Sequence, residues 1–223
     1  MLKTRVRVLS CLICVLWATF AFGQEKETWS RWEGEIRRYE ASDRRDPPPT
    51  GGMLFIGSSS IGLWNSLAED LPGVPVLNRG FGGAQVPDVT FYIDRIVTPY
   101  RPRTIVFYAG DNDVGEGRSP AQVTADVMEF LHQARKRLPE VRFVFVSIKP
   151  SPVRAHRLPA IQEANRLIRA FLARVEGTTY IDIHTPMLEN NNQIRRQLFR
   201  EDGLHMNESG YALWREIIGP QIY

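Results

Sequence analysis

Cysteine is almost missing from this chain. Its 223 residues hold two, Cys11 and Cys14, both inside a segment that reads as a removable leader. A mature chain without them has no disulfide, no thiol nucleophile and no thiolate metal site. Charge of one sign is also missing. Lys3, Arg5 and Arg7 account for the whole formal net charge of +3, and from residue 24 onward basic and acidic residues balance. That balance gives no reason to expect a nucleic acid or an anionic surface as partner. No histidine pair has the helical H-E-x-x-H spacing of a zinc site. Gly-rich Arg79–Gly83 lacks both the G-x-x-x-x-G-K-[ST] pattern and the dinucleotide spacing. Neither a metal nor a cofactor is expected. Internal repeats are absent too.

What is present begins with the leader. A basic start, an apolar run from Val8 to Phe22, and the small-residue spacing of Ala21-Phe22-Gly23 form the three parts of a secretory signal peptide. Residues 1–23 are therefore expected to be removed, leaving a secreted or periplasmic protein without a membrane span. The alternative is an anchor that is retained, although the run is short for a bilayer, which needs roughly 18–22 residues.

Residues 24–50 follow as an amphipathic helix and a proline-rich linker. Trp29, Trp32, Ile36 and Tyr39 recur at helical spacing between Thr28 and Arg45, and Asp46-Pro47-Pro48-Pro49 ends the pattern. These aromatics are expected to pack on the domain rather than hold a ligand.

The third unit, 51–223, alternates short apolar runs with amphipathic ones. Strands are expected at Met53–Ile56, Val74–Leu77, Thr104–Ala109, Val141–Ile148 and Thr179–Ile183. Helices are expected near Val86–Val97, Pro120–Leu138, Ile161–Val175 and Glu208–Ile218. Apolar strands alternating with helices indicate an α/β fold with a five-stranded parallel sheet covered on both faces. Such sheets work through the loops beyond their strands' carboxyl ends. Gly57-Ser58-Ser59-Ser60, Asn78-Arg79-Gly80-Phe81-Gly82-Gly83 and Gly110-Asp111-Asn112-Asp113 all follow strands.

The first of these loops carries a candidate nucleophile. A serine hydroxyl needs a base and a site that stabilises the oxyanion it creates. Ser58, Ser59 and Ser60 all compete for the role. The candidate base lies far along the chain, in Asp202-Gly203-Leu204-His205. An acid three residues before a histidine, in a turn, can accept from imidazole Nδ1 and leave the other nitrogen to take the serine proton. Gly82-Gly83 lets a backbone N–H approach a ligand, and Asn112 brings an amide NH₂, both as oxyanion donors.

Rival readings exist. Asp182-Ile183-His184 ends a strand with its acid and imidazole on one face, so Asp182 competes to orient His184. His132 and His156 read as solvent-facing. Asp111 and Asp113 read as braces of the Asn112 turn rather than as a glycosidase pair. Lys149 follows the fourth strand and reads as a loop brace or a pocket wall.

The ordered set Gly57-x-Ser59, Gly83, Gly110-x-Asn112-Asp113 and Asp202-x-x-His205 resembles the SGNH (GDSL-like) hydrolase superfamily, over roughly residues 51–218. The resemblance implies a three-layer α/β/α, flavodoxin-like fold without metal or cofactor. It implies Ser59 as nucleophile, His205 as base and then acid, and Asp202 as its orienting partner. Oxyanion donors would be the N–H groups of Ser59 and Gly83 and the Asn112 side chain. The chain departs from the family at Ser58, where aspartate is usual. The expected activity is hydrolysis of a small-molecule or saccharide carboxylic ester, with short acyl groups favoured because no long hydrophobic lid segment is evident. A carbohydrate O-acetylesterase is the rival within enzymes, and a non-catalytic binding module the rival from another class. Oligomeric state is left open.

Overall fold

A computed structural model describes residues 31–73 and 75–222. The leader expected over 1–23, Trp29 of the expected first helix, and Val74 lie outside the described residues. Helix α1 spans Glu33–Arg45 and strand β1 Met53–Gly57, followed by short helices α2 (Ser59–Gly62) and α3 (Leu67–Asp70). Strand β2 is Val76–Gly80, and α4 (Val86–Phe91) and α5 (Ile93–Ile96) lead to β3 (Thr104–Tyr108). Then come α6 (Asp111–Gly115), α7 (Pro120–Arg137), β4 (Arg142–Val146), α8 (Leu158–Leu172), β5 (Thr178–Ile181) and α9 (Glu208–Ile222).

The five strands form one parallel sheet in the order β2-β1-β3-β4-β5. Alternation along each strand divides the core between its two faces. Leu54, Ile56, Ile105, Phe107, Phe143 and Phe145 face one apolar cluster, into which α4, α5, α7 and α8 pack. Phe55, Val106, Tyr108, Val144 and Val146 face the other, closed by Trp64, Tyr211 and Trp214 from beside α2 and from α9. Three layers result. Among the described residues no helix is long and apolar enough to cross a membrane.

Two expected elements differ most. The second strand moves from Val74–Leu77 to Val76–Gly80, because it pairs in register with all five residues of β1. This draws polar Asn78 and Arg79 into the sheet, where other partners receive them. Asn78 Nδ2 donates to Ile61 O at 2.7 Å, and Arg79 bonds Tyr100 and pairs with Asp43 of the α1 helix. The helix expected over Val86–Val97 breaks at Tyr92 into α4 and α5.

Helix α1 docks on the first face. Ile36 is fully buried, Arg95 of α5 reaches both Glu33 and Glu40, and Trp32 Nε1 donates to Gly82 O at 2.8 Å. The aromatics at helical spacing thus pack on the domain, as expected for Trp32 and Tyr39. They also seat α1 against the loop that carries Gly83.

Candidate active site

Strand order 2-1-3-4-5 reverses direction between β1 and β3, so the loops leaving those two strands diverge and open a crevice at their carboxyl ends. Ser59 leaves β1 and Asn112 leaves β3. Both candidates therefore stand at the point where this topology makes room for a ligand.

The Ser59 turn is tight. Gly57 sits at φ +140°, and a Cβ there would meet Tyr108 O at 1.7 Å, so only glycine fits. Ser58 N donates to Tyr108 O at 2.9 Å and Phe81 N to Gly57 O at 3.0 Å, which locks the turn between its neighbours. Ser58 is extended, and helix α2 starts at Ser59. The first N–H groups of a helix have no partner within it. Ser58 and Ser60 are 0% and 2% exposed, whereas Ser59 is only partly buried. Of the three competing serines, Ser59 is the one turned toward solvent.

Gly83 follows β2 at φ +74°, a conformation that favours glycine. Its loop is held to α6 from two sides. Asn112 Nδ2 donates to Ala84 O at 3.0 Å, and Val86 N donates to Asp113 Oδ1 at 3.1 Å. The Arg31 guanidinium lies over Gly83, 2.9 Å from where a Cβ would stand. Asp113 thus braces the neighbouring loop rather than only its own Asn112 turn, as the sequence reading had it.

Asp113 is also a buried carboxyl with one oxygen left over. Its Oδ2 meets no hydrogen-bond partner among the described residues. Burial pushes its pKa up to about 7, against the bonds from the N–H groups of Val86 and of Asp113 itself. A carboxyl raised in the fold contributes its stability fully below its free value, here 3.8, and loses it as pH rises through about 7. Asp113→Asn is expected to flatten the fall in melting temperature over that window in thermal denaturation. An unchanged slope would mean that the carboxyl is already ionised in the fold.

Asp111 does something else. It is fully buried and pairs with Lys149 Nζ at 3.1 Å and with Arg154 Nη1 at 3.1 Å. Burial works to raise its pKa, but the two cations outweigh it and hold the carboxyl below the usual value. Lys149, expected to brace a loop or wall a pocket, is 1% exposed and braces. Ser58 Oγ lies 3.5 Å from Asp111 Oδ1. A carboxylate therefore already lies beside the turn where the SGNH family usually carries aspartate at position 58. A second one there would face Asp111 across a buried space, and like charges so close are costly.

Asp202 and His205 form a local unit. Asp202 Oδ1 accepts from the N–H groups of Leu204 and His205 at 2.8 and 2.9 Å, and Oδ2 lies 2.7 Å from His205 Nδ1. The Asp202 and His205 side chains are 47% and 28% exposed, so solvent reaches both. The small burial of Asp202 works upward, yet the Leu204 N–H, the imidazole and the His205 N–H outweigh it and bring its pKa to about 2. With Nδ1 engaged, Nε2 is the nitrogen left for chemistry.

Two contacts bring this unit to the others. Val153 N donates to Gly203 O at 3.2 Å, tying it to the segment that carries Arg154. Tyr211 of α9 donates its hydroxyl to Ser60 O at 3.1 Å, tying the helix just beyond His205 to the Ser59–Ser60 turn across 151 positions. The rival pair does not assemble. His184 is buried with Nδ1 on Ile148 O at 2.9 Å, while Asp182 is taken up by Thr185 and Ser147. His132 and His156 are exposed. Among the described residues no group of three His, Cys, Asp or Glu side chains gathers closely enough to hold a metal ion.

Nothing in the sequence singles out Arg154 or Tyr211. Arg154 stands in an Arg-Ala-His-Arg run with nothing to distinguish it from its neighbours, and Tyr211 reads as one more apolar helix position.

Comparison with known proteins agrees with this architecture. Three solved structures share it at low identity. One, from Streptococcus pneumonia and named for platelet activating factor, has a TM-score of 0.75 at 17% identity, covering 92% of this chain and 99% of its own. A GDSL-like lipase from Bacteroides thetaiotaomicron has a TM-score of 0.70 at 20% identity, covering 84% and 96%. A carbohydrate esterase family 3 protein from Talaromyces cellulolyticus has a TM-score of 0.59 at 18% identity, covering 78% and 96%. These likenesses show the fold. No curated protein matches the chain. The profile of the GDSL-like lipase/acylhydrolase family matches residues 57–213, from the Ser59 turn through the Asp202–His205 unit, and the chain therefore belongs to that family.

Proposed function

We propose that this protein hydrolyses carboxylic esters with short acyl groups through an acyl-Ser59 intermediate. One observation carries the reading: the Asp202–His205 hydrogen bond sits on a turn whose following helix is bonded to the Ser59–Ser60 turn. His205 Nε2 takes the Ser59 proton as Oγ attacks the ester carbonyl. The resulting oxyanion accepts from the N–H groups of Ser59 and Gly83 and from Asn112 Nδ2. Collapse breaks the bond to the alcohol, and His205 returns the proton to the departing oxygen. A water, deprotonated by His205, then releases the acid and regenerates Ser59. Asp202 stays ionised throughout and holds the imidazole tautomer.

Secretion through the leader at 1–23 belongs to the same proposal, and it points to a substrate outside the cytoplasm. Comparing acetyl with long-chain nitrophenyl esters tests the acyl preference. Acetyl is expected to be turned over faster, and a clear long-chain preference would overturn it.

A second reading, a carbohydrate O-acetylesterase, is favoured by a groove. An open cavity of about 810 Å³ lies between α3 and α9, lined in part by Asn65, Ser66, Asn207, Ser209 and Arg200. Tyr211, which bonds the Ser60 carbonyl, lies on its wall. Ser59, Asn112 and His205 are not among its lining residues, so the support is for a saccharide held beside the site by these amides and hydroxyls. Acetate release from acetylated xylan, measured beside nitrophenyl acetate hydrolysis, separates the two readings. Fluorophosphonate labelling separates both from a non-catalytic binding module, which would not react.

A further inference from the structure

The Asn112 carboxamide has two partners besides any substrate. Its Oδ1 accepts from Arg154 Nη2 at 2.9 Å, and its Nδ2 donates one hydrogen to Ala84 O at 3.0 Å. Turned over, the amide would set its NH₂ against a guanidinium and its oxygen against a carbonyl. Both contacts would become repulsive, so only one orientation is stable. In that orientation the second Nδ2 hydrogen is left over.

Arg154 is itself held in place. Its Nη1 bonds Asp111 Oδ2, and its side chain lies across Gly115 at the end of α6, where a Cβ would meet its Nε at 2.6 Å. Three features of the chain thus serve one geometry: a buried carboxylate as anchor, a glycine as bed, and an amide oxygen as target. The planar fork of arginine satisfies both acceptors at once, which a lysine ammonium on a flexible stem does not.

We infer that Arg154 is a positioning residue of the oxyanion hole. It fixes the Asn112 amide with its free N–H available to the oxyanion. Its charge beyond the amide oxygen polarises the group and makes that N–H a stronger donor. The inference rests on the reading of Asn112 as an oxyanion donor. It adds a residue from beyond β4 that the motif does not contain.

The test is a double-variant kinetic cycle on nitrophenyl acetate with the full mature chain. Asn112→Ala is expected to lower kcat by about 10²–10³-fold, the usual cost of one oxyanion donor. Arg154→Gln is expected to lower kcat by roughly 10–10²-fold with KM changed less than about threefold, since the oxyanion exists only beyond the ground state. In the Asn112→Ala background the same Arg154→Gln change is expected to cost no more than about twofold, because residues acting as a unit are non-additive. Gly115→Ala provides a second route that keeps the charge. Its methyl displaces only the end of a flexible side chain, so the fold is spared. A loss of about tenfold in kcat is expected, again vanishing in Asn112→Ala.

A full Arg154→Gln effect in both backgrounds would reduce Arg154 to a structural tie and overturn the inference alone. So would an unchanged kcat in both Arg154→Gln and Gly115→Ala while Asn112→Ala is impaired. An unimpaired Asn112→Ala would overturn the oxyanion assignment and the inference with it.

Discussion

Ser59→Ala is expected to lower kcat for nitrophenyl acetate by about 10⁴–10⁶-fold and to abolish fluorophosphonate labelling. Removing a nucleophile leaves only the oxyanion donors and bound water, and such remnants retain a small part of the rate. The substitution is mild for the fold. Ser59 opens a helix and is only partly buried, and alanine is a better helix former than serine. The melting temperature is expected to stay within roughly 2 °C of the parent. Activity within tenfold of the parent would remove Ser59 from the mechanism. Ser58 and Ser60 would be poor replacements, since both are buried and the Ser60 carbonyl is held by Tyr211. Peptide mapping of the labelled protein reads the position directly. Asp202 remains ionised down to about pH 2, so loss of activity in mild acid would not come from its protonation.

Asp111→Ala is expected to be the most destabilising single change at the site, by roughly 3–5 kcal/mol. The cost comes mainly from what stays behind. Lys149 is 1% exposed and would keep an ammonium with no carboxylate beside it, whereas Arg154 is partly exposed and can turn toward water. For a chain of this length such a loss lowers the melting temperature by about 10 °C. Removing both buried charges, as Asp111→Leu with Lys149→Met, is expected to recover most of it, since an apolar pair carries no desolvation penalty. A melting temperature unchanged in Asp111→Ala would mean that the pair contributes nothing.

The pH dependence has the opposite sign to that of Asp113. A carboxyl held below its free value contributes stability above that value and loses it as pH falls through the folded value. The parent is therefore expected to weaken in acid below about pH 3.8, and Asp111→Asn to lack that part of the fall. The variant also frees Arg154, so its activity is expected to drop with its stability.

Local features of the chain were enough to read most of the candidate site. Strands and helices follow from apolar periodicity, which is a property of neighbours in sequence. The tight turn before Ser59 follows from Gly57, and the Asp202–His205 bond closes over three residues, a span that a single turn fixes. The two readings of Asp111 and Asp113 show where that legibility stops. Both looked like braces of their own turn, yet Asp113 braces the loop after β2, and Asp111 is neutralised from 38 and 43 positions away. Nothing in the local sequence around Lys149 or Arg154 states which strand end will lie beside theirs. That was decided by sheet order, which sets β3 between β1 and β4 and so presses the loops of Asp111, Ser58 and Lys149 together. Register decided the rest. Pairing with β1 pulled Asn78 and Arg79 into β2 although their polarity argued for a loop, because a backbone ladder and the partners waiting at Ile61, Tyr100 and Asp43 outweighed it. Sequence alone thus set the elements and the short-range chemistry. Tertiary structure alone chose which distant charges meet, because that choice depends on the pairing of strands far apart in the chain.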